Sequence, residues 1–96
     1  MALRKKKNFS EEFITETVNG EPYQFIPLGT YVVASPGVCG GRPTLKYTRM
    51  DARWVMAYLQ NGRTLKELSV AHNVPVAAIK EVQELAKVYD YEKSYV

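Results

Sequence analysis

The sequence feature that most constrains the fold is the stretch Thr64–Val82, TLKELSVAHNVPVAAIKEV, which has the pattern of two short helices joined by a tight turn. Thr64 and Glu67 form a Thr-x-x-Glu capping box, which fixes the start of the first helix. Asn73 falls in the turn, where the backbone often needs a positive φ that Asn tolerates best after Gly. Pro75 suits the first position of the second helix, because its missing N–H would be unpaired there anyway.

Apolar residues recur at helical spacing on both sides of this turn. Leu65 and Leu68 supply the inner face of the first helix, and Ile79, Val82 and Leu85 supply that of the second. The combined pattern predicts a helix-turn-helix unit. An ordinary helical hairpin is the alternative, and it stays open at this point.

A further helix is predicted over residues 51–60, with an apolar stripe that is unusually wide. Trp54 and Tyr58 lie four residues apart beside the main apolar face, and Met56 lies on that face. Trp and Tyr are favoured at protein interfaces, and a small domain gains from extra burial. We therefore expect Trp54, Met56 and Tyr58 at a homodimer interface, unless they complete the core of a single chain.

The N-terminal third differs from the rest of the chain in composition and in predicted secondary structure. Residues 1–8 read as a basic tail, and Ser10 can cap a short helix that runs to Val18. Tyr, Phe, Ile, Thr and Val between residues 22 and 34 predict two short strands about a turn, and residues 44–47 predict another strand. The expected fold is mainly α with a small β element (α+β). It is a three-helix, homeodomain-like helix-turn-helix over residues 35–96, preceded by a β-hairpin or small sheet in an extension over residues 1–34.

Charge is distributed unevenly along the 96 residues. The net charge is +3, but residues 40–66 alone carry six basic side chains against the single acid Asp51. A polyanion should therefore be attracted to this middle segment and to the basic N-terminal tail.

The inventory of reactive side chains argues against an enzyme. His72 is the single histidine and Cys39 the single cysteine, so no catalytic residue, metal site or cofactor is expected. No apolar run approaches the roughly 20 residues that a bilayer span needs. The lone cysteine fits a reducing compartment, and we expect a cytoplasmic protein without membrane contact.

Residues 35–89 resemble domain-of-unknown-function family 433, an antitoxin-like helix-turn-helix family. The resemblance is carried by Gly40, Gly41, Pro43, Leu45, Thr48, Arg49 and Met50, followed by Gly62 and the Thr64–Glu67 helix start. It implies a DNA-binding fold, dimers and a toxin as a partner. Tyr47 stands where the family usually has Gly, so the local turn must differ if that Gly allows a backbone contact or a positive φ. Arg49 is expected either to contact DNA or to pair with Asp51 or Glu67.

DNA binding is the function that these features favour. In a helix-turn-helix the second helix enters the major groove, where Val76, Ala77, Lys80 and Gln83 would be presented to the bases. Phosphates would be contacted by the basic residues Arg42, Arg49, Arg53, Arg63 and Lys66. Glu81 and Glu84 in the same helix count against strong binding. The alternative is a protein-interaction module, an antitoxin or adaptor with little DNA affinity.

Overall fold

Four strands and then three helices follow one another along the chain. The structure, a computed structural model, describes residues 13–96. The strands β1 (Ile14–Val18), β2 (Glu21–Pro27), β3 (Val32–Ala34) and β4 (Thr44–Leu45) form one antiparallel sheet in the order of the sequence. The helices are α1 (Ala52–Gln60), α2 (Leu65–His72) and α3 (Val76–Leu85). The boundary predicted between residues 34 and 35 falls between β3 and β4, within this sheet.

The β1–β2 hairpin corrects the prediction of a short N-terminal helix. Asn19 and Gly20 form its two-residue loop with φ of 53° and 80°, and Val18 pairs with Glu21. Asn-Gly is the dipeptide that such hairpin loops favour, because both positions need positive φ. The predicted helix is therefore wrong over residues 14–18, which are rich in β-branched residues, and its start at Ser10 lies outside the described residues.

The core lies between the sheet and the helices. One face of the sheet contributes Ile26, Val32 and Leu45, and these pack in the same cluster as helix residues such as Val55 and Ile79. The prediction of a mainly α, homeodomain-like fold is wrong for this reason. The three helices have only eight to ten residues each, and a four-stranded sheet supplies the layer on which they close their core. The fold is α+β.

The helix boundaries follow the local signals that the sequence carries. The capping box is confirmed, since the Glu67 N–H donates to Thr64 Oγ1 at 3.1 Å and the Thr64 N–H donates to Glu67 Oε1 at 2.9 Å. Asn73 has the predicted positive φ of 54°. Pro75 lies one residue before the first helical position of α3, with φ −65°.

Helix α3 is joined to the sheet by the carboxylate of Glu81. Oε1 accepts hydrogen bonds from the backbone N–H of Tyr31 (2.7 Å) and Val32 (2.9 Å), and Oε2 accepts from the N–H of Thr30 (2.9 Å). A Cβ on the neighbouring Gly29 would lie 2.7 Å from Oε1, so the absence of a side chain there makes room for the carboxylate. Glu81 therefore satisfies the loop between β2 and β3 and fixes it against α3.

The C-terminal segment folds back onto the molecule. Tyr91 is buried, and its hydroxyl donates to the carbonyl oxygen of Val82 at 2.6 Å. Burial raises the pKa of the Tyr91 phenol, which keeps it a neutral donor. The N–H of Tyr95 donates to the carbonyl oxygen of Gly41 at 2.9 Å. This segment thereby covers the end of α3 and the turn that precedes β4.

Replacing Glu81 by Gln should lower the free energy of unfolding by about 1–3 kcal/mol. The NH₂ group of glutamine is a donor and would face a backbone N–H that donates to a carboxylate oxygen in the wild type. Urea unfolding followed by circular dichroism measures this. Glu84→Gln is the matched control on the exposed face of α3 and should change stability by less than about 0.5 kcal/mol. Equal effects of the two substitutions would contradict the structural role of Glu81.

Candidate nucleic-acid interface

The outer face of α3 presents all four of the side chains predicted to reach DNA bases. Val76, Ala77, Lys80 and Gln83 are exposed, while Ala78, Ile79 and Val82 on the opposite face are buried. The helical period accounts for this division, since residues 76, 80 and 83 return to the same side. This surface, residues 76, 77, 80 and 83, is called the α3 outer face below.

Of the two acidic residues on α3 that count against DNA binding, Glu81 and Glu84, only Glu84 has an exposed side chain. The carboxylate of Glu81 is bonded to the loop between β2 and β3, whereas Glu84 is exposed and makes no ion pair with residues 13–96. The sequence pattern gave no sign of this difference. Glu81 keeps its negative charge but is held at the loop by these bonds, so Glu84 is the acid of α3 whose side chain is left exposed.

Two of the predicted phosphate contacts are engaged with a buried acid. Asp51 is 4% exposed, caps α1 through the N–H of Arg53 and pairs with two guanidinium groups. Its Oδ2 accepts from Arg42 Nη2 at 3.1 Å and from Arg53 Nε at 3.2 Å. Arg53 also donates through Nη1 to Glu92 at 2.9 Å. Arg42 and Arg53 thus connect the turn before β4, the start of α1 and the C-terminal segment.

The other three predicted phosphate contacts have exposed side chains. Arg49, Arg63 and Lys66 make no ion pair with any residue in the described part of the chain. The predicted pairing of Arg49 with Asp51 or Glu67 is absent there, because Arg42 and Arg53 occupy Asp51. Arg63 and Lys66 lie on either side of the first residue of α2. They form a small basic surface at that end of the helix.

The three side chains expected at a dimer interface lie in different environments. Trp54 is 52% exposed, and its ring centroid lies 6.5 Å from that of Tyr58. Tyr58 is half-buried, stacks on His72 at 6.2 Å and lies under the guanidinium of Arg63 at 6.0 Å. Met56 packs against the hydrophobic core. Trp54 therefore leaves apolar surface on α1, whereas Met56 and Tyr58 are both half-buried and pack against the core.

The glycine-rich turn and the residue Tyr47 share a left-handed backbone. Gly40, Gly41 and Tyr47 have φ of 64°, 82° and 67°. The expectation that the turn at Tyr47 differs from one built on Gly is wrong for the backbone, which takes the conformation that Gly would allow. Contacts with the hairpin offset the strain: the backbone N–H of Tyr47 donates to the Tyr23 hydroxyl at 3.0 Å, and the Tyr47 hydroxyl donates to Glu16 Oε1 at 2.6 Å.

A family model described as "Protein of unknown function (DUF433)" matches residues 32–86, more than half of the chain. The chain belongs to the DUF433 family. The DUF433 match runs from β3 to the end of α3, so the β1–β2 hairpin lies outside it. Tyr47, which lies within the matched residues, binds Tyr23 and Glu16 in that hairpin. Neither a curated protein nor a solved structure matches this sequence.

Within residues 13–96, no three of the His, Cys, Asp and Glu side chains converge as metal ligands would. Burial raises the pKa of the Cys39 thiol, and its Sγ donates to the Arg49 carbonyl oxygen at 3.3 Å. The thiolate is thereby disfavoured. Over the same residues, no helix has the length and apolar character that crossing a bilayer requires.

Gly41→Ala should destabilise the chain more than Gly37→Ala. Both positions have positive φ, 82° and 78°, so each substitution should cost about 1–2 kcal/mol in backbone strain. A Cβ at position 37 would meet open space, whereas one at position 41 would lie 2.5 Å from Ser94 Oγ and 2.6 Å from Val96 Cγ2. Gly41→Ala should therefore also release the C-terminal residues to a carboxypeptidase. Equal stabilities and equal digestion of the two variants would contradict this packing.

Proposed function

We propose that this DUF433 protein is a DNA-binding regulator that places the α3 outer face in the major groove. The observation that carries the proposal is the exposure of Val76, Ala77, Lys80 and Gln83 on a short helix whose intervening Glu81 is bonded to the protein itself. The helix follows a tight turn at Asn73, as the second helix of a helix-turn-helix does.

The side chains of the α3 outer face suit base recognition. Lys80 can donate to the O6 and N7 acceptors of guanine, and Gln83 can bond adenine through the carbonyl oxygen and the NH₂ of its side-chain amide. The methyl group of Ala77 can contact the methyl group of thymine. Because Lys80 and Gln83 lie three residues apart on the same side of the helix, they would address neighbouring base pairs.

Phosphate contacts are assigned to the exposed basic residues. Arg63 and Lys66 at the start of α2 can neutralise phosphates beside the groove, and Arg49 can add a third contact. Arg42 and Arg53 are given a structural role through Asp51. With so few phosphates neutralised by one chain, affinity would be modest for a monomer.

A homodimer would supply the missing affinity. Trp54 and Tyr58 offer the apolar surface for pairing, and two copies would present two α3 helices to half-sites about 34 Å apart. In this proposal the protein acts in the cytoplasm on the control region of its own gene, as the DNA-binding half of an antitoxin-like system does.

Protein binding is the second candidate, and one observation favours it. Trp54 lies half-exposed beside a shallow cleft of about 260 Å³ that is lined by Arg53, Trp54, Ala57 and Glu92. Exposed Trp next to an Arg is typical of the energetic centre of a protein interface. A toxin or other protein partner would then occupy the surface that the first proposal assigns to a second copy.

Binding of the full chain to a duplex from upstream of its own gene tests the DNA proposal. Fluorescence anisotropy over a salt series should show binding that exceeds binding to scrambled DNA and weakens steeply with salt. Lys80→Gln should lower the affinity about tenfold, since one good base contact contributes about 1–3 kcal/mol. Lys93→Gln is the control, because it removes the same charge from the exposed C-terminal segment.

Equal, weak binding to the upstream and scrambled duplexes would exclude sequence-directed regulation through α3. Equal losses in Lys80→Gln and Lys93→Gln would show that only net charge matters. A Trp54→Ala variant that keeps the size of the wild-type dimer would remove the α1 interface from the proposal, and a monomeric variant that binds DNA with unchanged affinity would remove the need for a dimer.

A further inference from the structure

A groove of about 550 Å³ separates the sheet from the turn between α2 and α3. Its floor is apolar, because Leu45 and Ala78 are buried and Val74 is half-buried. One wall comes from the loop after β2 and the turn after β4, and the other from residues 72–75. The volume falls within the roughly 300–1,000 Å³ that small-molecule sites occupy.

Hydrogen-bond donors surround this floor. Lys46, His72, Asn73 and Thr30 line the groove, and no Asp or Glu is among its lining residues. An ammonium group and a side-chain amide donate, and imidazole has an N–H in either protonation state. Thr48 also lines the groove, but its hydroxyl is already used, donating to the Leu45 carbonyl oxygen at 2.7 Å and accepting from the Met50 N–H at 2.9 Å.

Lys46 retains donors for a ligand. Its Nζ forms an ion pair with Glu16 Oε2 at 3.6 Å, a separation longer than a good hydrogen bond, and lies 4.6 Å and 5.0 Å from the ring centroids of Phe25 and Tyr47. Burial opposes the charge of the ammonium group, but Tyr47 and Glu16 outweigh this effect and raise the pKa of Lys46. The Lys46 ammonium group is therefore a cation at the edge of the groove. It has three N–H donors, and its neighbours do not use all of them.

Glu81 does not cancel this positive edge. Its carboxylate lies behind the wall formed by Thr30 and Tyr31 and is bonded to the backbone N–H groups of both residues. Those bonds hold the wall in place and keep the carboxylate out of the lining of the groove.

From this combination of an apolar floor and donor-rich edges with no acid among the lining residues, we propose that the groove binds a small organic anion, a carboxylate carried on an aromatic or aliphatic body. The body would pack on Leu45, Val74 and Ala78, and the carboxylate would bond Lys46 with help from His72 or Asn73. Such a ligand would touch the sheet and the first turn of α3 together. The site goes beyond DNA binding, and its existence does not depend on it.

Titration of the ¹⁵N-labelled full chain with sodium benzoate, at constant ionic strength, tests the site. Saturable shifts should cluster at the amides of Tyr31, Lys46, Val74 and Ala78. Benzyl alcohol has the same ring without the charge and should bind about tenfold more weakly, because it lacks a hydrogen bond between charged groups. Lys46→Gln should weaken benzoate about tenfold and leave benzyl alcohol nearly unchanged.

Lys87→Gln removes an equal charge from the exposed end of α3 and should leave benzoate binding unchanged. A dispersed spectrum of Lys46→Gln, like that of the wild type, establishes that the variant is folded. Shifts that do not saturate, that scatter over the surface, or that persist with full affinity in Lys46→Gln would overturn the proposal. Because no DNA is present, these outcomes are independent of whether α3 binds a duplex.

Discussion

The carboxylate of Glu81 is the interaction on which the arrangement of this protein depends most. Three successive backbone N–H groups in the loop after β2 converge on it, and no other described side chain reaches them. Without it the loop would leave donors unsatisfied and α3 would lose its polar attachment to the sheet. Gly29 supports the same contact by leaving space for the carboxylate. The Glu81 side chain thereby fixes the orientation of α3, and its carboxylate is held at the loop after β2.

A second charged cluster sets which basic residues remain in solvent. Asp51 draws Arg42 and Arg53 inward, and Glu92 holds the far side of Arg53. A buried carboxylate with two guanidinium partners is costly to break, because removal of one partner leaves a buried charge less compensated. The positive charge of residues 40–66 therefore divides into an internal part and an external part. The external part, at Arg49, Arg63 and Lys66, is what a polyanion would meet.

Local signals made the helices predictable. The Thr64–Glu67 box, the left-handed Asn73 and the Asp51 cap act within a few residues, so the sequence alone locates them. Exposure of the α3 outer face also followed from the helical period. The first strand is not predicted, because the predicted helix extends from Ser10 to Val18, although Asn19-Gly20 favours a hairpin when β-branched residues precede it.

Contacts between distant residues could not be predicted in this way. Glu81 meets a loop about 50 residues earlier in the chain, and nothing in the pattern around it distinguishes it from Glu84. The same holds for Tyr47, whose strained backbone is offset by Tyr23 and Glu16 in a hairpin outside the DUF433 match. The helical period of the sequence identifies which side chains of a helix face outward. Which of them are already engaged depends on the sheet.

The most direct test of the proposed function maps the DNA contact on the protein. The ¹⁵N-labelled full chain is titrated with the upstream duplex, and amide shifts are assigned residue by residue. We expect the largest changes at residues 76–83 and near Arg63 and Lys66, with the amides of Thr30 and Val32 little changed because Glu81 still holds them. Changes centred instead on Trp54 and Tyr58, or spread evenly over the surface, would contradict recognition through the α3 outer face.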